Sequence, residues 1–288
     1  MTEFLWKIIL WLRKEGGVGE RFTDWLMDTK LSIWYNDMQY GKDIKNPPSE
    51  VLSARKFFGE NIDRVNAMAD SLADEKSKRI YLAMIKYRCT HNRIDRPEYN
   101  RRDQYFPKDL VSLREDEVFV DCGAYNGDTI RNFCRNANYK YKKMIAFEPD
   151  EDNVKMIHKL CKTDVPYIIQ GAVWNENTII YFSDGAGSSS KVNFQGELAI
   201  QGLTIDSILE CSDATFIKMD IEGSEYNALL GAKKTISRNR PILAICIYHS
   251  NEDMIRIYEL ISSWNLGYKF YVRQHAQKIS ETVLYAIQ

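Results

Sequence analysis

The segment 118–129 reads V-F-V-D-C-G-A-Y-N-G-D-T, a short apolar run that ends in Asp121 and is followed by Gly123 and Gly127 with three residues between them. This is the pattern of a strand, a tight turn and a helix arranged to cradle a nucleotide. Gly123 lets the chain reverse where a Cβ would clash, Gly127 lets backbone approach a ligand, and Asp128 with Thr129 can open the helix that follows. A dinucleotide fingerprint G-x-G-x-x-G would need glycine at positions 123, 125 and 128, where this chain has Gly123, Tyr125 and Asp128. An NAD-dependent or FAD-dependent enzyme is therefore disfavoured.

A second apolar run, Met144 to Phe147, ends in Glu148-Pro149. It lies about 20 residues past the glycine turn, the spacing of an acid that reads a ribose. A carboxylate there can accept both ribose hydroxyl protons, and Pro149 fixes φ and stops the strand, which places Glu148 at the carboxyl end where open α/β sheets bind ligands. A surface Glu favoured by the dipole of a following helix is the plainer alternative.

The rest of the chain falls into two regimes. From Met1 to about Thr90 the pattern is helical, with an amphipathic stretch around Leu26 to Trp34, a helix capped by Ser49, and another from about Ile62 to Ile85. This half holds no chemistry that can be named and reads as a cap, a packing surface or an oligomer interface. A polar connector, His91 to Leu110, carries Arg93, Arg96, Arg101 and Arg102, which could meet an anionic acceptor but more often form a solvated surface. Tyr105, just before the first strand, is placed to lean over a cofactor. Two regions follow: 1–112, helical with connector, and 113–288, where strands alternate with helices as in a parallel α/β sheet. Strands are predicted near Val118 to Asp121, Met144 to Glu148, Tyr167 to Val173, Ala214 to Asp220, Ile242 to Tyr248, Tyr268 to Arg273 and Thr282 to Ile287, the last two as an antiparallel hairpin. An excursion from Ile179 to about Leu203 reads as a loop beside the third strand.

The stretch F-I-K-M-D-I-E-G-S-E alternates Lys218, Asp220 and Glu222 against Ile217, Met219 and Ile221. Charges inside a buried strand must neutralise one another, bind something or sit at a solvated mouth. Gly223 turns the chain, Ser224 can cap the helix that holds Glu225, and His249 ends the neighbouring strand.

The D-x-G-x-x-x-G spacing resembles the first motif of S-adenosylmethionine-dependent methyltransferases. Together with A-F-E-P-D, L-T-I-D-S-I-L, I-K-M-D-I-E-G-S-E-Y-N-A-L-L-G-A, R-P-I-L-A-I-C-I-Y-H and E-T-V-L-Y-A, it makes roughly residues 104–288 similar to the FkbM family of methyltransferases. The resemblance implies a class I Rossmann-like sheet of seven strands, mostly parallel with one antiparallel hairpin. It also implies O-methylation of a sugar, glycan or other small-molecule hydroxyl, with S-adenosylmethionine as donor and S-adenosylhomocysteine as product. On that basis the cofactor set is Asp121, Gly123, Ala124, Asn126, Gly127, Asp128, Thr129, Glu148 and Pro149, with Tyr105 and, facing the adenine, Gly171 and Ala172. The catalytic set is His249 and Asp220 as base and orienting partner, Lys218 holding Asp220 or stabilising the developing alkoxide, and Glu222. An alcohol benefits from a base within hydrogen-bond reach, and an unperturbed His titrates near neutrality. Asp220, Glu222 or Glu225 with His249 could alternatively bind a divalent cation, magnesium or manganese before zinc.

Composition narrows the partners. A net charge of −1 over 288 residues gives no basic field for nucleic acid. The six cysteines are scattered with no C-x-x-C pair, so neither a zinc knuckle nor a disulfide framework is indicated and a reducing cytoplasm fits. The aromatic residues 1–14 are too few to span a bilayer; docking on the chain's own domain is favoured over lying on a membrane surface. The rival readings are a scaffold that keeps a cofactor fold without methyl transfer, and an NAD-dependent sugar-modifying enzyme.

Overall fold

The computed structural model describes residues 47–161, 163–182 and 198–288. The expectations for residues 1–14, for Leu26 to Trp34, and for the part of the excursion at 183–197 lie outside the described residues.

Ten strands and eight α-helices are described. Three helices come first: α1 (Ser49–Glu60), α2 (Ile62–Ser71) and α3 (Glu75–Thr90). Then follow β1 (Val118–Cys122), α4 (Asp128–Asn136), β2 (Lys143–Phe147), α5 (Glu151–Leu160), β3 (Tyr167–Ile169), β4 (Ala172–Val173), β5 (Thr178–Phe182) and β6 (Leu198–Leu203). The chain ends with β7 (Phe216–Met219), α6 (Glu225–Leu230), α7 (Lys233–Asn239), β8 (Ile242–Cys246), α8 (Asp253–Ser263), β9 (Lys269–Gln274) and β10 (Thr282–Ile287). The main sheet runs β3-β2-β1-β7-β8-β10-β9, parallel except for β10, which is antiparallel to both neighbours. The chain leaves β1 toward β2 on one side and returns to β7 on the other, so the order reverses between β1 and β7. A crevice opens at such a point beyond the strands' carboxyl ends.

β1 shows why this sheet is buried on both faces. All five of its residues are buried. Val118, Val120 and Cys122 enter one hydrophobic cluster, while Phe119 enters the other with Phe106, Phe133 and Phe216. The Phe119 and Phe133 rings stack with centroids 4.4 Å apart, which adds specific geometry to the area they remove from water.

The helical region shares the first cluster: Phe58, Met68, Tyr81 and Met84 pack with Phe270 and Val272 of β9. Its docking is also polar. Ser77 Oγ accepts the Val272 amide at 2.9 Å, and the Arg273 guanidinium pairs with Asp74 at 2.7 Å. Asp74 in turn accepts the Ser77 amide at 2.6 Å and so caps α3. The helix predicted from Ile62 to Ile85 is thus two helices, broken where Leu72 is extended and Asp74 caps afresh. Ser49 is the first helical residue, and Pro48 holds the cap position without a side-chain bond.

Two strand expectations need correction. The run Tyr167 to Val173 is divided: β3 joins the main sheet, whereas Ala172 and Val173 pair with Gly202 and Leu203 of β6. The excursion read as a loop supplies β5 and β6, an antiparallel pair that completes this second, three-stranded sheet. Their pairing is between distant segments and carries no local signal. No described helix is long and apolar enough to cross a membrane.

Candidate active site

The glycine turn forms at the carboxyl end of β1. Gly123 and Gly127 both have φ +79°, in the left-handed region. A Cβ on Gly123 would lie 2.1 Å from the Asp220 carbonyl oxygen, so the turn after β1 touches the chain leaving β7 and only glycine fits there. At Gly127 a Cβ would meet Cys161 Sγ at 3.0 Å and then Ile157 of α5. Its left-handed φ and this close packing against α5 both favour glycine at 127. Tyr125 is also left-handed, at φ +47°, with its side chain half exposed, and Ala124 is buried beneath it. The Gly123 and Ala124 amides donate to the Phe147 carbonyl at 3.0 and 3.1 Å. Asn126 Oδ1 accepts the Asp128 amide at 3.1 Å and Asp128 Oδ1 accepts the Thr129 amide at 2.7 Å, which starts α4.

Glu148 stands beyond β2, buried, beside half-buried Pro149. Its carboxylate accepts from the Tyr125 amide at 2.7 Å, the Asp150 amide at 3.0 Å and Asn153 Nδ2 at 3.2 Å. A carboxylate offers about four lone-pair positions, and the protein's own donors use three of them. Burial raises its pKa, opposed by these three donors. Gly171 and Ala172 stand next to β6: a Cβ on Gly171 would be 3.0 Å from the Gln201 carbonyl oxygen.

Parallel register sets Lys218 of β7 opposite Asp121 of β1. Lys218 Nζ lies 2.9 Å from Asp121 Oδ1, with 2% and 0% of the two side chains exposed. It also donates to the carbonyls of Gly123 at 2.8 Å and Cys122 at 3.3 Å. The contact with Asp121 has an ion-pair distance but an angle unsuited to a hydrogen bond, which leaves both Asp121 oxygens without a hydrogen-bond donor; the attraction is electrostatic. Burial pushes Asp121 up to about 6 against the pull of Lys218, while Asp121 and Asp220 together outweigh burial and hold Lys218 above its usual range. Lys218 thus has its direct ion pair with Asp121, in place of the expected one with Asp220, and faces the underside of the turn. Asp121 is sealed from the crevice.

Asp220 follows the end of β7 and keeps 21% of its side chain exposed. Tyr105, buried and left-handed at φ +65°, donates its hydroxyl to Asp220 Oδ2 at 2.7 Å, and Tyr248 donates to Oδ1 at 3.0 Å. Burial would raise Asp220, but the Lys218 and His249 charges and the two hydroxyls lower it. The chain does not stay extended to Glu222, which has φ +56°; Glu222 is nevertheless brought to His249, 3.6 Å from Nε2, with Asp220 Oδ1 at 3.5 Å. Gly223, at φ +95°, packs against His249, where a Cβ would lie 3.5 Å from the His249 Cβ. Ser224 precedes α6 without a side-chain cap.

The cluster has members that sequence reasoning missed or left secondary. Glu225, fully buried, accepts the Ile221 amide at 2.8 Å and lies 3.1 Å from His249 Nδ1, again at an angle better suited to an ion pair than to a hydrogen bond. Tyr248 adjoins His249 in sequence and is the second hydroxyl on Asp220. Glu281, the first residue of the E-T-V-L-Y-A segment, accepts from Gln104, and burial with the nearby Asp220 charge raises it to about 7. Burial lowers His249, yet Glu225, Asp220 and Glu222 prevail and lift it to about 9. Both ring nitrogens face carboxylates, the geometry of an imidazolium. The only described group with metal-ligand spacing is Asp220, Glu225 and His249, whose ligand atoms lie within 4.8 Å of one another. With its second proton in place the His249 ring has no lone pair for a metal, so a cation on these three residues would have to displace that proton.

Two predictions arise from these charges. Lys218→Met leaves Asp121 buried without its counter-charge and should cost about 3–5 kcal/mol; Asp121→Asn added to it should recover much of that loss, measured by urea unfolding. Equal stabilities of single and double variants would contradict the pairing. For His249, whose folded pKa is raised above its unfolded value, the stabilisation is fully present below the unfolded pKa and is lost as pH rises through about 9. Unfolding free energy should therefore fall by up to about 3 kcal/mol between pH 7 and pH 10, and His249→Gln should flatten that decline.

Comparison with known proteins agrees with this architecture. The model of the methyltransferase FkbM domain matches residues 121–270. The crystal structure of methyltransferase FkbM from Methylobacillus flagellatus KT superposes with a TM-score of 0.72 at 24% identity, over 94% of this chain and 72% of that one. More distant are an rRNA methylase from Streptococcus thermophilus (TM-score 0.36, 14% identity, 60% of this chain and 87% of that one) and Aeropyrum pernix fibrillarin with natively bound S-adenosyl-L-methionine (TM-score 0.37, 11% identity, 62% and 71%). No curated protein matched the sequence. The domain match spans more than half of the chain, from the acid of β1 to the sheet's last hairpin, and on that ground the protein belongs to the FkbM family of methyltransferases.

Proposed function

We propose that this protein is an S-adenosylmethionine-dependent O-methyltransferase acting on a hydroxyl of a sugar, glycan or related small molecule. One observation carries the reading: the turn after β1 and the polar mouth after β7 are in contact, with the Gly123 Cβ position 2.1 Å from the Asp220 carbonyl. A donor gripped by the turn and an acceptor at Asp220 and His249 would meet across that contact.

The residues present suit the cofactor. Gly123, Ala124, Asn126 and Gly127 offer the turn backbone to its amino acid end, Glu148 has an acceptor position left for a ribose hydroxyl, and the region of Gly171 and Ala172 is offered to adenine. When bound, the sulfonium supplies a methyl group that is already activated. The protein's own task is alignment, exclusion of water and handling of the hydroxyl proton. Glu225 beside Nδ1 keeps a proton there in the neutral ring, which leaves the Nε2 lone pair toward the mouth. Nε2 would take the acceptor hydroxyl's proton, and Asp220, fixed by Tyr105 and Tyr248, would orient that hydroxyl and balance the imidazolium that results.

The test offers the purified protein labelled cofactor with panels of sugars, nucleotide sugars and lipid-linked glycans, each with EDTA or with added magnesium. Transfer to a sugar hydroxyl is expected; binding of the cofactor with no transfer to any acceptor would favour a scaffold, binding of NAD instead would favour the sugar-modifying alternative, and loss in EDTA restored by magnesium would put a cation on Asp220, Glu225 and His249. Glu148→Ala should weaken cofactor binding by more than about 1 kcal/mol, read by calorimetry. His249→Ala should keep cofactor affinity and lose turnover. In the wild type, turnover should climb with pH toward about 9 as the imidazolium gives up its proton; a rate that instead falls through this range would make the imidazolium an electrostatic partner and remove its role as base.

A further inference from the structure

Arg88, on the last turn of α3, is 6% exposed and reaches out of the helical region toward the site. Its guanidinium donates from Nη2 to the carbonyls of Tyr248 and of Ile279, the latter at 3.3 Å, and from Nη1 to Asn251 Oδ1 at 3.0 Å. All three acceptors are neutral. Burial lowers the Arg88 pKa to about 10, with the Asp253 charge opposing it. Among the described residues no carboxylate lies at contact distance of this buried cation, an expensive way to pack a helix on a sheet that an apolar side chain of similar volume would do at less cost.

The fork of the guanidinium does what an apolar side chain cannot: it bonds two separate loops at fixed angles. One loop follows β8 and carries Tyr248, whose hydroxyl holds Asp220, and His249, whose ring lies 4.1 Å from the Tyr248 ring. The other joins β9 to β10 and carries Glu281 two residues beyond Ile279. We propose that Arg88 is a positioning residue, through which the helical region fixes the loop that presents Tyr248 and His249 to the reaction. This rests on the functional reading above for its consequence in turnover, though the clamp itself is independent of it.

The chain has four histidines, so the His249 ring signals can be assigned by their loss in His249→Gln. Spectra at one fixed pH, cofactor affinity by calorimetry and label transfer are compared for wild type, Arg88→Lys, Arg88→Met and Asp74→Asn. Asp74→Asn breaks a different tie between the helical region and the sheet and controls for lost stability. Arg88→Lys keeps the charge but loses the fork: its His249 signals should shift and broaden, and turnover should drop at least tenfold with the S-adenosylmethionine Kd within twofold of wild type, while Asp74→Asn leaves the His249 signals in place. His249 signals in Arg88→Lys that coincide with wild type would overturn the proposal, and so would an equal displacement in Asp74→Asn. Should Arg88→Met not fold, Arg88→Lys decides alone. A wild type that binds no S-adenosylmethionine would sink the functional reading and leave the spectral test of the clamp intact.

Discussion

The ion pair between Asp121 and Lys218 is the constraint on which the site depends. Two charges with 0% and 2% of their side chains exposed are tolerable only together, since removing either leaves the other in a low-dielectric interior. The pair also has a second use. Lys218 spends its remaining donors on the Gly123 and Cys122 carbonyls, so the same ammonium that neutralises Asp121 anchors the turn after β1. Its Nζ lies 5.2 Å from the centre of the Tyr105 ring, and Tyr105 holds Asp220. The turn and the mouth are therefore fixed from one buried point.

Four of the nine described non-glycine residues with positive φ gather around that point. Tyr105, Tyr125, Glu222 and Glu281 all have positive φ, a conformation that costs a bulky non-glycine residue of order 1 kcal/mol or more. Each has a polar contact in the site: Tyr105 with Asp220, the Tyr125 amide with Glu148, Glu222 with His249, and Glu281 with Gln104. Hydrogen bonds and ion pairs within the cluster offset the strain, and the strained backbone directs side chains where a regular strand or helix would not.

Much of this was legible in the sequence, and the part that was not has one physical origin. The sheet, its hairpin and the two strand tips followed from apolar runs bounded by Gly123 and Pro149, because burial on both faces leaves a local imprint. Period-two alternation put Lys218 and Asp220 on one face, but it could not reveal that register places Asp121 opposite Lys218, since register belongs to a pair of strands. The same limit hid β5 and β6, whose partners are each other and β4. It hid Glu225 as the closest acid to His249, because only the left-handed step at Glu222 and Gly223 folds α6 back onto the ring. And it concealed the perturbation of His249: an ordinary imidazole was legible, whereas three acids gathered from one loop and helix make it an imidazolium at neutral pH.

Exposure grades the polar groups into different kinds of chemistry. Asp121 and Lys218, at 0% and 2%, are shut away from any ligand; they neutralise each other, and Lys218 also holds backbone. His249, at 8%, is enclosed enough for three carboxylates to control its proton, and Asp220, at 21%, reaches the mouth while tied by two tyrosines. Glu222, at 41%, meets water and its charge is screened accordingly. Burial of the Asp121–Lys218 pair thus keeps the inner charges of the cluster immobile, while the exposure of Glu222 opens its outer edge to water.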